Sequence, residues 1–365
     1  MKVKAAVCRR PHEPVTFESV EIDEPAGREV LVRTAATGVC HSDLHVVDGQ
    51  SRYALDPPMI LGHEGSGIVE AVGAEVTTVK PGDHVVACLS GFCGTCAQCL
   101  SGHPNLCVGG VVTRAKSSRP RLSQGGRPLQ QFAAIASYAE AMLLHEHSVV
   151  AIDPALPLDR AALVGCGVLT GVGAALRTSG LRGGQTVAVF GCGGVGLSIV
   201  QGARIGGASQ IIAVDVFDGK LDMARRLGAT HVVNSREDDP VKAVRDLTGG
   251  AGVDHAFEAV GNTTLVRQSI ESLAIRGTAT IVGVLPPDAM IEFPWMAIRP
   301  ECRVQTSRMG SNQFRTDIPR YLEFYRQGRL LLDEMVSRRG RLEDLNDAFR
   351  AMKAGEVART VLTFD

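Results

Sequence analysis

The chain has 365 residues, more than one ordinary core of ~100–200 residues holds, so two domains are expected. Lys and Arg total 38 against 39 Asp and Glu, a net charge of −1, which excludes a strongly basic nucleic-acid binder and gives no general pull toward an anionic membrane. No run approaches the ~18 apolar residues of a membrane span, and MKVKAAVCRRPHEP has no apolar stretch of signal-peptide length, so a cytoplasmic chain with neither membrane nor nucleic-acid partner is expected.

Before residue 168, short β-rich runs alternate with Gly, Pro and His: EVLVRTAATGV (29–39), GSGIVEAVG (65–73) and GDHVVAC (82–88). They predict an irregular antiparallel or barrel-like β domain. From residue 186 the texture is regular. Strands are expected at 186–191, 211–215, 231–234, 254–260, 278–284 and 304–307, with helical segments from Gly194 and over 219–228, 240–249 and 263–274 between them. Strands alternating with helices imply βαβ units and a parallel sheet, hence an α/β class. Beyond 309 the chain turns amphipathic and helical, then closes on the strand-like RTVLTF, a tail read as returning to the first domain.

Gly191-Cys192-Gly193-Gly194-Val195-Gly196 fits G-x-G-x-x-G directly after a predicted strand and at the start of a predicted helix. Gly191 permits the tight turn, Gly193 lets the backbone approach a pyrophosphate, and Gly196 lets the helix pack on the sheet. The helix N-terminus offers free N–H groups to the phosphates. Asp215 ends the next strand, where a carboxylate accepts the adenosine ribose hydroxyls and repels a 2′-phosphate, favouring NAD over NADP. Lys220 is placed either toward the ribose or in solvent. The bland alternative is a glycine-rich turn in an unrelated α/β domain.

Ten cysteines in a reducing compartment read as metal ligands or catalytic groups before disulfides. Cys93, Cys96, Cys99 and Cys107 form C-x2-C-x2-C-x7-C in a Gly- and Pro-bearing loop that can wrap one tetrahedral zinc, in a closed and therefore structural site. Iron–sulfur ligation and disulfides remain open on spacing alone. GVCHSDLHVVDG carries Cys40, His41, Ser42, Asp43 and His45; LGHEGSG carries His63 and Glu64; LVGCGVLTG carries Cys166. Singly, such a Cys is usually a small buried hydrophobe and such a His a satisfied polar group. Beside a dinucleotide fold, Cys40, His63 and Cys166 describe an open Cys2His zinc site.

CHSD, GHEGSG, the four-cysteine loop, GCGVLTG and GCGGVG, in that order, resemble the zinc-dependent alcohol dehydrogenases of the medium-chain dehydrogenase/reductase family, from MKVKAAV to RTVLTF. The resemblance implies a GroES-like catalytic domain (1–167 and 309–365) with a structural zinc lobe near 93–107, a Rossmann NAD-binding domain (168–308), and an active site in the cleft between them. It implies two zinc ions and NAD. The catalytic zinc is expected on Cys40, His63 and Cys166, with Glu64 approaching the metal and Asp43 orienting the histidine. Ser42 and His45 match the proton relay from an alkoxide stabilised by zinc, through the ribose, to water. Arg359 matches a contact to the cofactor pyrophosphate.

The match is uneven elsewhere. His41 stands where several members carry Arg, which implies a weaker, pH-dependent grip on the phosphates. Leu89 and Ala133 replace bulkier residues of the substrate channel, Phe132 keeps an aromatic wall, and Val260 and Val284 are expected as apolar lining near the nicotinamide. A wider pocket suits larger primary alcohols or aldehydes, unless other side chains refill it. The stretch 113–128 has five basic residues and no acid; it reads as a solvated loop, or as facing an anionic substrate tail or partner. The spacing from Cys107 to Phe132 resembles the longer, usually dimeric members, so a homodimer is expected.

The leading reading is a primary alcohol dehydrogenase. S-(hydroxymethyl)glutathione dehydrogenase is the near alternative, against which His45 argues; a dehydrogenase with permanently bound NAD(H) is another, and a non-enzymatic zinc-bearing protein a third. Cys8, Cys88, Cys192 and Cys302 are left to packing.

Overall fold

Lys2–Cys8 alternates exposed Lys with buried Val only over its first residues and is then buried on both faces from Ala5 to Cys8, while Glu29–Gly38 is buried along most of its length and takes partners on both edges. The computed structural model describes residues 1–51, 58–110, 112–115 and 118–364, and the chain divides into two compact units. The first comprises Met1–Cys166, Gln313–Gln327 and Leu332–Asp365.

Its main sheet runs in the order Val149–Ala151, His84–Ala87, Gly65–Val72, Glu29–Gly38, Arg359–Thr363 and Val336–Gly340, with Ala141–His145 also paired to Glu29–Gly38. The pairings are antiparallel except for the last two strands, which are parallel to each other. Two registers place the site: Val361 lies opposite Gly38, and Thr37 lies opposite Gly65. They bring the start of the tail strand, the end of Glu29–Gly38 and the Gly62–Glu64 turn together. A core of Leu44, Met59, Leu61, Tyr138 and Phe349 packs beneath them. Each large side chain buried there contributes about 1.5–3 kcal/mol.

The second unit comprises Gly167–Asn312 and Gly328–Leu331. Its six parallel strands lie in the order His231–Asn234, Gln210–Asp215, Thr186–Phe190, Val253–Glu258, Leu273–Ile281 and Arg303–Thr306. That is the 3-2-1-4-5-6 order of a doubly wound sheet, whose switch point falls between Thr186–Phe190 and Val253–Glu258. Asp239 and Asn262 cap two of its helices by accepting backbone N–H groups.

Some boundaries differ from the sequence reading. The strand expected to reach Val284 ends at Ile281, because the Val282 and Gly283 N–H groups turn to donate to the Glu258 carbonyl at 2.8 and 3.1 Å. Residues 309–312 and 328–331 group with the second unit. In the latter, Leu331 N–H donates to Gln201 Oε1 at 2.7 Å and Arg204 to the Arg329 carbonyl at 2.6 Å.

Candidate active site

Cys40 is the N-cap of the helix His41–Val47, His63 precedes the strand Gly65–Val72, and Cys166 follows the helix Leu158–Leu163. The fold gathers them: one ligand atom from each of Cys40, His63, Glu64 and Cys166 lies within 4.8 Å of all the others, and all four residues are buried. Cys166 hydrogen-bonds Cys40, which draws Cys40 well below the usual thiol range and pushes Cys166 up. Burial opposes charge on His63, yet the negative Asp43 and Cys40 outweigh it and raise the imidazolium to about 10. Both ring nitrogens of His63 are buried; Nδ1 has a charged contact with Asp43, and Nε2 makes no well-formed hydrogen bond. Two sulfurs, an orphaned imidazole nitrogen and a carboxylate in one buried cluster fit a divalent cation, and sulfur with nitrogen fits zinc.

The far side of His63 is anchored. Its Nδ1 lies 3.1 Å from Asp43 Oδ2, the contact that orients a metal-binding histidine. Asp43 Oδ1 accepts the Gly62 N–H at 2.8 Å, and Oδ2 accepts the Tyr138 hydroxyl at 3.0 Å. Tyr138 was not anticipated; a lone tyrosine in ASYAE carries no sequence signal of this bond. Ser42 and His45, at i and i+3, share one face of the short helix and are both half-buried. His41 is exposed, its ring centroid 6.4 Å from that of His45. Phe132 sets its ring edge-on to His63 at 5.5 Å, so the expected aromatic wall adjoins the metal cluster. Ala133 packs beside Phe132 on the same core, whereas Leu89 packs against the cluster of Val30, Val85, Ile135 and Leu144.

Arg359 and Glu64 form a buried ion pair. The residue expected at the cofactor pyrophosphate binds the carboxylate of the candidate metal cluster. Gly38 makes room for both side chains: a Cβ there would stand 2.1 Å from Glu64 Oε2 and 2.9 Å from the Arg359 guanidinium.

In the second cysteine group, the sulfur pairs Cys96–Cys99, Cys93–Cys99 and Cys96–Cys107 are separated by 3.6, 3.9 and 3.9 Å. Zinc–sulfur bonds of about 2.3 Å in a tetrahedron require sulfur edges of about 3.8 Å. Backbone N–H groups turn inward to the sulfurs, from Cys96 to Cys93 at 3.2 Å and from Gly109 to Cys107 at 3.3 Å. The Thr95 N–H and hydroxyl and the Cys96 N–H lower the Cys93 thiol to about 5, while burial raises Cys99 to about 12. The inward N–H groups favour the thiolate at Cys93 and Cys96, whereas burial favours the neutral thiol at Cys99.

In the second unit, the strand Thr186–Phe190 runs into the glycine turn and the helix Gly194–Ile205. Gly191 adopts φ +96°, and a Cβ on Gly196 would meet the Gly191 carbonyl at 1.7 Å, so the turn and the helix contact both exclude side chains. A Cβ on Gly193 would meet no protein atom within 4 Å, so the space beside it remains for a ligand. Asp215 Oδ2 accepts the Cys192 N–H at 2.7 Å, and Oδ1 accepts Val216 and Phe217 N–H at 2.8 and 3.1 Å. Lys220 is drawn to the Phe217 ring, 4.8 Å from its centroid, rather than standing free in solvent.

Glu258, also unanticipated, is fully buried at the switch point, opposite Phe190 in register. Its Oε1 accepts the N–H groups of Val260, Gly261 and Asn262 at 2.8, 2.6 and 3.3 Å, and ends the strand there. Burial nevertheless raises its pKa. Val260 and Val284 keep 54% and 40% of their surface exposed, apolar side chains left open on the loops after two strands.

The basic stretch 113–128 is not simply solvated. Arg114 binds Asp23 at 2.7 Å and pairs with Glu29, and buried Arg121 donates to Glu29 at 2.7 Å. Lys116 lies outside the described residues. All ten cysteines are free of disulfides; Cys8, Cys88 and Cys192 are buried thiols with raised pKa values, and Cys302 is half-buried.

Residues 26–154 match the alcohol dehydrogenase GroES-like domain, and residues 194–326 the zinc-binding dehydrogenase domain. S-(hydroxymethyl)glutathione dehydrogenase of Saccharomyces cerevisiae is 38% identical over 100% of this chain and 97% of its own length. The crystal structure of an alcohol dehydrogenase zinc-binding domain protein from Burkholderia ambifaria matches with a TM-score of 0.94 at 38% identity, covering 100% of this chain and 99% of that one. Benzyl alcohol dehydrogenase from Acinetobacter calcoaceticus matches with a TM-score of 0.93 at 32% identity, covering 100% of both chains. A GroES-like unit with a Rossmann unit defines a medium-chain dehydrogenase/reductase. The chain belongs to the zinc-dependent alcohol dehydrogenases of that family, oxidoreductases that work with zinc and a nicotinamide dinucleotide.

Proposed function

We propose that the chain interconverts a primary alcohol and its aldehyde, with NAD as the hydride carrier and Cys40, His63 and Cys166 as the ligands of a catalytic zinc. The observation that carries this reading is the buried convergence of those three residues with Glu64, together with the unpartnered His63 Nε2. When bound, zinc held there would supply Lewis acidity toward the substrate oxygen, and NAD would supply the hydride acceptor. The chain's own residues do the rest. Asp43 holds His63, Ser42 takes the substrate proton and passes it toward His45, and Phe132 gives the substrate an apolar wall beside the cluster. The loop Gly191–Gly196, with its helix N-terminus, holds the pyrophosphate, aided by His41 and Arg359. Asp215, with Lys220 close by, holds the adenosine ribose, and Val260 and Val284 line the nicotinamide end.

Cys93, Cys96, Cys99 and Cys107 hold a second, structural zinc. The chain acts in the cytoplasm as a homodimer. The dimer is supported by the open edge strand Arg303–Thr306 and by Trp295 and Met296, exposed at 80% and 84%.

A second reading follows from the yeast relative, named for S-(hydroxymethyl)glutathione. Two observations favour a simple alcohol instead: His45 is present beside Ser42, and the loop cations Arg114 and Arg121 are committed to Asp23 and Glu29. The test is turnover with NAD⁺ on a panel of short and long aliphatic, terpenoid and benzylic alcohols, alongside formaldehyde with and without glutathione. Turnover of free primary alcohols, with no gain from glutathione, is expected. Activity confined to the glutathione adduct overturns the reading.

A further inference from the structure

A fully buried phenol must place its hydroxyl, because a buried hydroxyl left without a partner is costly. Tyr138 is wholly buried, packed edge-on against Phe349 with ring centroids 6.2 Å apart. Its backbone is fixed from both sides: its N–H donates to the Leu61 carbonyl at 3.1 Å, and its carbonyl accepts the Ala6 N–H at 2.8 Å. Phenylalanine would fill the same volume, so the hydroxyl is the distinctive part of the residue.

That hydroxyl lies 3.0 Å from Asp43 Oδ2 and 3.4 Å from the Gly38 carbonyl, and the nearer, ionised oxygen is the stronger acceptor. The same Oδ2 lies 3.1 Å from His63 Nδ1, while Oδ1 takes the Gly62 N–H at 2.8 Å. Three contacts therefore fix one buried carboxylate, and two of them share one oxygen. We propose that Tyr138 is a positioning residue of the metal centre: its hydroxyl holds the Asp43 carboxylate at the angle that presents His63 Nε2 to the metal. Its bond to Oδ2 also withdraws charge from the oxygen facing His63 and so limits the imidazole's donation to the metal. The inference rests on the zinc reading of Cys40, His63 and Cys166.

The test is Tyr138→Phe, which keeps the ring and removes the hydroxyl. Purified full-length wild type and variant are titrated with zinc against a chelator. They are also substituted with cobalt, whose visible spectrum separates the Cys2His site from the four-sulfur site. The account expects an unchanged four-sulfur spectrum, a shifted Cys2His spectrum, and zinc affinity at that site reduced roughly 10–100-fold, the range for lost partners of a metal-bound histidine. A double-mutant cycle with Asp43→Asn adds a readout that packing would not move: Tyr138→Phe should cost little further affinity once the carboxylate is gone. Affinity within about twofold of wild type, or equal losses in both backgrounds, would overturn the proposal. Wild-type protein that binds cobalt only at the four-sulfur site would overturn the zinc reading itself.

Discussion

Cys192 donates its backbone N–H to Asp215 Oδ2 at 2.7 Å, which ties the glycine turn to the tip of the neighbouring strand. The acid proposed to hold the ribose thus also fixes the loop proposed to hold the phosphates. Asp215→Ala should therefore damage NAD binding twice, by losing the ribose acceptor and by freeing the loop. A charge-assisted hydrogen bond contributes about 1.5–3 kcal/mol, so kcat/KM for NAD⁺ should fall roughly 10–100-fold. Removal of the charge should raise the NADP⁺ to NAD⁺ preference at least about tenfold. Steady-state kinetics with both cofactors test this, and an unchanged ratio would show that Asp215 does not face the ribose.

Glu258 offers a second check in the same unit, because one carboxylate oxygen gathers three successive N–H groups beside Gly191. Glu258→Ala strands those donors in a buried setting, at a cost on the order of 3 kcal/mol of stability, and releases the loop carrying Val260. The dissociation constant for NADH should rise about tenfold or more, whereas Glu258→Gln, which keeps the acceptor oxygen, should stay near wild type. NADH fluorescence titration decides; equal binding by all three proteins would mean that the loop holds its shape without the carboxylate.

The cysteine lobe should respond in stability more than in chemistry. Cys99→Ala removes one of the four proposed ligands, so one zinc per chain should be lost, with a fall in Tm of several degrees. Metal analysis and calorimetry on the purified variant measure both. Retention of full metal content and Tm would contradict a closed structural site.

Glu146 ties the short helical turn Glu146–Ser148, after Ala141–His145, to the rest of its unit, accepting Thr77 N–H at 3.0 Å, the Thr78 hydroxyl at 2.9 Å and Arg28 at 2.5 Å. Burial alone would raise its pKa, but these donors lower it from 4.5 to about 2. A depressed carboxylate gives its stabilisation in full above the unfolded value and loses it as pH falls toward the folded one. The window is therefore about pH 4.5 down to 2, and the contribution about 3 kcal/mol. Glu146→Gln should be less stable than wild type at neutral pH, and the gap should narrow through that window. Denaturant melts at a series of pH values test it, and a gap independent of pH would contradict it.

What could be read from the sequence followed from local rules. Cys40, His63 and Cys166 stand in short motifs, and the strand–turn–helix around Gly191 obeys a fixed spacing, so the clustering of the first and the shape of the second were legible in the sequence. Tyr138 and Glu258 were not, because their roles arise from pairings 95 residues apart and from a strand end set by its own side chain. The fate of Arg114 and Arg121 was likewise hidden, since Glu29 lies 85 and 92 residues away and only folding supplies it. Charge patterning shows that a cation exists; it does not show which distant acid neutralises it.

The central claim is that Cys40, His63 and Cys166 hold a zinc separate from that of the cysteine lobe and essential to turnover. Zinc content per chain, measured alongside alcohol oxidation by NAD⁺ in wild type and Cys166→Ala, tests it most directly. The account predicts that the zinc content falls by one ion per chain, the four-sulfur site stays filled, NADH still binds and turnover is lost. Unchanged zinc content with wild-type turnover in Cys166→Ala would contradict it.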